Sequence, residues 1–267
     1  MGRELHDRVA LVTGSYRGTG RGIAHVLARE GARVVVHGFE AAAAQAVVDE
    51  IREAGGDALG VSGDIRNDDG GDQVLEQTLA GAGRVDVLVN NYGVAEGPGW
   101  MQAGSEDWIE SYQKNVLSGV RLLRGLLPGM RTRGFGRVIF VGTVGSTRPG
   151  RGTPHYYASK AALVAMTVSL AKEVAGSGIT VNTVSPGLIA TDEVKARFLE
   201  RGAKRGWGDT WEEIAPHAAR EFMNAPAGFV GEPEDVGHLV AFLASERARY
   251  IHGANVRIDG GAADCVN

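Results

Sequence analysis

Short runs of aliphatic and β-branched residues alternate with longer helix-patterned segments along the whole chain, and this restricts the fold more than any other feature. Val9–Val12, Arg33–His37, Ala58–Ser62, Val85–Val89, Arg137–Val141, Ile179–Val184 and Asn255–Ile258 read as strands. Helices are expected between them: Gly18–Glu30, Ala41–Glu53, Asp72–Ala82, one long helix over Glu106–Met130, a second over Tyr156–Val174, and Glu234–Leu243. Strands joined by helices pair in parallel through right-handed crossovers. Near-continuous apolar strands fit a sheet covered on both faces. The chain is therefore expected to be an α/β protein: a doubly wound parallel sheet of about seven strands in one domain, 1–267. The alternation is interrupted over Leu188–Val230, a mixed-charge insertion expected to act as a lid over a site.

Composition removes several classes. Lys and Arg number 28 against 32 Asp and Glu, a net charge of −4, which disfavours nucleic acid as a partner. The single cysteine, Cys265, allows no internal disulfide, and no metal site is expected. No apolar run is long enough to span a bilayer and Met1–Arg8 is too polar for a signal peptide, so no membrane partner and a cytoplasmic location are expected. Gly accounts for 40 of 267 residues, about twice the usual share of roughly 7%, which implies turns and close backbone approaches.

The first strand runs into Thr13-Gly14-Ser15-Tyr16-Arg17-Gly18-Thr19-Gly20 and then a helix. Gly14, Gly18 and Gly20 would let a pyrophosphate approach the helix N-terminus, where free N–H groups and the helix dipole favour an anion. The second strand ends in His37-Gly38-Phe39-Glu40, with no acid where one would grip an adenosine ribose. Arg17, with His37 as a second donor, instead suits the 2′-phosphate of NADP(H); Glu40 keeps NAD(H) possible. Tyr156 and Lys160 are four residues apart and share a helix face. An ammonium there is expected to lower the phenol's pKa and make it a general acid/base. Tyr157, three residues from Lys160, is an equal candidate by spacing alone.

Taken together these segments resemble the short-chain dehydrogenase/reductase family over essentially the whole chain. The glycine loop is similar to its T-G-x-x-x-G-x-G signature. Asp64 and Ile65 follow the third strand where the family contacts adenine, and Asn90-Asn91-Tyr92-Gly93 resembles its N-N-A-G turn. Asn115 matches an active-site Asn, and Tyr156 with Lys160 matches the Y-x-x-x-K pair, which selects Tyr156 over Tyr157. The stretch from Asn182 to Thr191, with Pro186, Gly187 and Ile189, is similar to the segment beside the nicotinamide, and Gly231–Val236 and Asp259–Gly261 resemble the family's C-terminal pattern.

The resemblance implies a Rossmann-type fold and hydride transfer between NADPH and a small ketone or secondary alcohol. Tyr156 would be the proton donor, Thr143 would polarise the carbonyl, Lys160 would hold the nicotinamide ribose, and Asn115 would support a water relay. It further implies a homotetramer, with a dimer as the fallback. Two residues depart from the pattern: Thr143 stands for Ser, and Tyr92 for a small Ala.

Three alternatives differ in substrate or class: a 3-oxoacyl-(acyl-carrier-protein) reductase, an NAD-linked sugar or secondary-alcohol dehydrogenase, and a non-catalytic nucleotide-sensing scaffold. An acidic carrier protein would need cations near the cleft, for which Arg131, Arg133, Arg148 and Arg151 are available; Ser177 stands where a basic residue would favour that reading. Trp207, Trp211, Phe198 and Phe222 in the insertion suggest instead a lid closing apolar surface over a free, largely hydrophobic ketone.

Overall fold

The computed structural model describes residues 4–265; the outermost residues of the expected 1–267 domain lie outside the described range. Seven parallel strands form one sheet in the order β3-β2-β1-β4-β5-β6-β7. They are β1 (Val9–Val12), β2 (Arg33–Gly38), β3 (Asp57–Ser62), β4 (Val87–Asn90), β5 (Gly136–Val141), β6 (Ile179–Pro186) and β7 (Asn255–Ile258). The central strands β1, β4, β5 and β6 are buried throughout, which is why their sequences are continuous apolar runs. The winding reverses between β1 and β4, leaving a crevice at the carboxyl ends of these strands, where ligands of doubly wound folds bind.

Helices α1 (Gly18–Arg29), α2 (Ala41–Glu53) and α9 (Pro233–Ala244) pack their apolar residues on one sheet face around Ile23, Leu27, Val48 and Val240. On the other face α3 (Asp68–Ala82), α5 (Ser118–Arg133) and α6 (Pro154–Glu173) enclose Leu88, Leu122, Phe140 and Leu163. The expected helix at 72–82 begins four residues earlier. Asn67 caps it by accepting from Gly70 N at 2.8 Å, and Gly70-Gly71, poor helix formers, conceal this turn in the sequence.

The long helix expected over 106–130 is instead α4 (Ser105–Tyr112), a π-turn over Gln113–Leu117, and α5. The insertion folds into α7 (Asp192–Arg205), α8 (Trp211–His217) and a π-turn over Ala218–Met223. It has its own small core of Phe198, Trp207, Ile214 and Val230. Among the described residues, no helix is long and apolar enough to cross a membrane.

Candidate active site

The loop from β1 to α1 turns through Gly14 (φ +61°) and Gly18 (φ +53°), left-handed conformations that a side chain would strain. Arg17 stands at the α1 N-cap in an extended conformation, without a side-chain cap, and the first turn carries no acid. An uncapped, acid-free helix start is the environment an anion requires, so these residues fit a pyrophosphate. Side chains behind the loop fix its shape. Ser15 donates to Val12 O at 2.7 Å, and Asn91 donates to Thr13 O at 2.8 Å.

From this loop a cleft of about 450 Å³ crosses the switch point to Tyr156. Of the residues singled out from the sequence, Gly14, Arg17, Gly18, Thr19, Gly20, Asn91, Tyr92, Gly93, Thr143, Tyr156, Lys160, Pro186, Gly187, Ile189 and Thr191 line it. Ser15 and Ile65 are buried behind or beside it, and Asp64 stands at the end of β3, half-exposed and paired with Arg66.

His37 requires a correction. It is fully buried; its Nδ1 accepts from Gly14 N and its Nε2 donates to Gly63 O, both at 3.0 Å. Burial lowers its pKa. The imidazole is a neutral brace under the glycine loop, and neither ring nitrogen is left to meet a phosphate.

At the other end of the cleft, α6 presents Tyr156 and Lys160 on one face. Thr143, which follows β5, lines the cleft with Tyr156 and accepts from Gly145 N at 3.2 Å. Tyr157 is excluded by packing: its ring lies against Gly145 and its hydroxyl against Gly150, so it supports the loop and does not line the cleft.

The electrostatics reverse one expectation. Lys160 Nζ donates to Val141 O at 2.8 Å, and burial lowers its pKa to about 8. Packing around Tyr156 pushes the phenol up to about 12, opposite to the lowering expected from a neighbouring ammonium; desolvation outweighs the influence of the Thr143 hydroxyl. Tyr156 therefore holds its proton at neutral pH, as a donor must.

Asn115 sits inside the π-turn, a distortion frequent at functional sites. Its Oδ1 accepts from Val94 N at 2.9 Å and its Nδ2 donates to Ser111 O at 3.0 Å, tying the post-β4 loop to the helix.

Sequence reasoning passed over several cleft residues. Glu193, Val194 and Arg197 of α7 border it, and Glu193 pairs with Arg17 at 3.1 Å across its mouth. The insertion's aromatics do not line the cleft, contrary to the expectation that they close apolar surface over a ketone: Phe198 and Trp207 are buried in the insertion's own core, Trp211 packs against that core, and Phe222 meets Phe198 edge-on. Helical periodicity from Glu193 would have indicated the polar face that borders the cleft instead.

A dinucleotide-type crevice that ends in a proton-holding phenol, a hydroxyl and a buried amine defines an oxidoreductase of the doubly wound class. Residues 14–263 match the family model described as enoyl-(acyl carrier protein) reductase. The 3-oxoacyl-(acyl-carrier-protein) reductase FabG of Vibrio cholerae is 36% identical over 257 residues, covering 96% of this chain and 98% of the relative. L-sorbose reductase from Gluconobacter frateurii, solved with NADPH and L-sorbose, superposes with a TM-score of 0.92 at 34% identity and covers 100% of both chains. A 7α-hydroxysteroid dehydrogenase, solved with NADH and 7-oxo glycochenodeoxycholic acid, gives 0.86 at 28% identity, covering 100% of this chain and 98% of the other. The chain belongs to the short-chain dehydrogenase/reductase family and is an oxidoreductase.

Proposed function

We propose that the protein is an NADPH-dependent reductase of a free small-molecule ketone, reversible as an alcohol dehydrogenase. The geometry of Tyr156, held protonated beside Thr143 at the end of the cleft, carries this reading. Gly14, Gly18, Thr19 and the bare α1 N-terminus would hold the pyrophosphate, and Pro186, Gly187, Ile189 and Thr191 would border the nicotinamide. When bound, NADPH supplies the hydride. Thr143 donates to the carbonyl oxygen and Tyr156 gives it a proton. Lys160 anchors the ribose, and Asn115 keeps the Val94 loop in place beside it. The insertion closes over the cleft as a lid. Self-association into a tetramer, with a dimer as fallback, belongs to the same proposal and is supported by Ile109, Tyr112 and Val168, exposed on α4 and α6.

Because Lys160 acts as a cation, reduction is expected to be level through neutral pH and to fall as pH rises through about 8, where the ammonium loses its proton. Tyr156 stays protonated over that range, so it does not shape the profile. A rate that climbs through the same window would remove Lys160 from this role.

Arg17 supports NADPH over NADH. Its pairing with Glu193 is exposed, and a bridge of that kind is readily exchanged for a phosphate. Arg17→Ala is expected to weaken NADPH relative to NADH by about 1.5–3 kcal/mol, measured as Kd for each. A wild-type enzyme that binds NADH more tightly would refute the assignment. The likeness to L-sorbose reductase with NADPH agrees with it, and the likeness to the NADH-bound hydroxysteroid dehydrogenase marks the alternative.

For the substrate, the identity with FabG favours a carrier-bound 3-oxoacyl group as a second reading. Of the four cations that such an acidic partner could use, three are committed elsewhere and Arg151 alone is exposed without an ion-pair partner among the described residues. Arg131 bonds Glu173 and Arg133 bonds Val85 O, at the amino ends of β4 and β5, opposite the cleft, and Arg148 is tied to Asp264 and Ala262 O. The cleft-facing side of α7 is polar, which suits a hydroxylated ketone better than the hydrophobic one suggested by the insertion's aromatics.

A further inference from the structure

A second chamber lies on the far side of one wall of the cleft. Its volume is about 320 Å³, at the lower end of the roughly 300–1,000 Å³ typical of small-molecule sites. It sits under the insertion, between the π-turn over Ala218–Met223, the first turns of α9 and the end of β7. Leu188 and Ile189 line both chambers, whereas Thr143, Tyr156 and Lys160 line the cleft alone. The partition is tied in place. Ile189 bridges Gly231, Ala190 N donates to Gly231 O at 2.8 Å, and Gly231 N donates to Leu188 O at 3.2 Å. The two stems of the insertion are thus joined across the wall, and the chambers fill independently.

The lining selects what enters. Met223, Val230 and Ile258 form apolar walls with the two shared residues, and Phe229 completes them while 64% exposed. An aromatic ring left open to water beside an apolar hollow gains from being covered. The polar groups are Asp235, His238 and Asp259. Asp259 is committed: its Oδ1 accepts from Gly261 N at 3.0 Å and its Oδ2 from Ala263 N at 2.8 Å. Asp235 Oδ2 accepts from Glu232 N at 2.8 Å in the α9 capping box. His238, about one turn further along α9, has no hydrogen-bond partner among the described residues. Two carboxylates with no lysine or arginine beside them repel an anion. The apolar walls make an ammonium costly to desolvate. An uncharged apolar body with one hydroxyl remains, and the His238 imidazole can pair with that hydroxyl.

We propose that this chamber is a second binding site, for an uncharged alcohol with a compact apolar body, filled alongside the cleft and not in place of its contents. The site does not depend on which ketone the cleft reduces.

The test is calorimetric titration at neutral pH with 2-naphthylmethanol, 2-naphthoate and 2-naphthylmethylamine, with and without saturating NADPH. The alcohol is expected to bind at least about tenfold more tightly than either charged probe, with the same Kd whether or not NADPH is present. Met223→Trp enlarges a side chain that lines this chamber and not the cleft. It is expected to weaken the alcohol by about tenfold or more and to leave Kd for NADPH unchanged. His238→Ala, at an exposed position where folding is not at stake, is expected to weaken the alcohol by about fivefold. Displacement of the alcohol by NADPH would place it in the cleft and overturn the proposal. Equal affinity for the carboxylate or the amine overturns it as well, as does full affinity for the alcohol in either variant. So does a wild-type protein to which the alcohol shows no saturable binding.

Discussion

Tyr156→Phe is expected to lower turnover at saturating cofactor and ketone by at least about 10²-fold, with cofactor affinity close to wild type. The ring stays, so the packing of α6 against the cleft is retained; what leaves is the phenol at the Lys160 end of the cleft, which holds its proton at neutral pH. Thr143 keeps a hydroxyl in the cleft but has no acidity to replace it. Tyr157→Phe is the matched comparison, because that hydroxyl faces Gly150 and does not line the cleft. Its turnover should stay near wild type. Steady-state rates for the pair decide the matter: an inactive Tyr157→Phe beside an active Tyr156→Phe would exchange their roles.

Gly93→Ala is expected to cost turnover on the order of 10²-fold without unfolding the protein. A methyl at that position would lie 2.6 Å from Lys160 Nζ and 2.7 Å from Asn115 Oδ1. Both atoms are in use, Nζ on Val141 O and Oδ1 on Val94 N, and both side chains are buried, so neither retreats without breaking a hydrogen bond. One added carbon thus displaces the Lys160 amine and the Asn115 support of the Val94 loop together. Thermal unfolding and kcat at saturating NADPH separate the effects. A variant that keeps more than about half of wild-type kcat would show that the two groups tolerate shifts of this size.

How far the sequence discloses the protein depends on which physical signal each feature leaves. The central strands are legible because a parallel strand covered on both faces has no alternation to lose, and β1 falls where its apolar run places it; β7, half-buried at the sheet edge, shows instead as an alternation of polar and apolar residues. The glycine loop is legible because positive φ selects a residue type. The π-turn around Asn115 is not legible. It changes the hydrogen-bond step of a helix without changing which residues are apolar, so 106–130 reads as one helix.

Direction is the other hidden quantity. His37 stands at a strand end in either account, and only coordinates show its ring turned inward under Gly14. Spacing puts Tyr156 and Lys160 on one face. It cannot show that the ammonium points to Val141 O and that desolvation then governs both pKa values. The Asp64–Arg66 fork lies within one loop, where no periodicity marks it.

The insertion's private core has a consequence for how such an enzyme diversifies. Phe198, Trp207 and Ile214 pack mainly among residues of their own segment, while Tyr156 and Lys160 stand on α6 and Thr143 follows β5. Exchanges along the cleft-facing side of α7, at Glu193, Val194 or Arg197, alter the wall of the cleft without loosening either sheet layer. The phenol and amine of α6 and the α7 wall of the cleft thus lie in separate stretches of chain, so a change in one leaves the packing of the other intact.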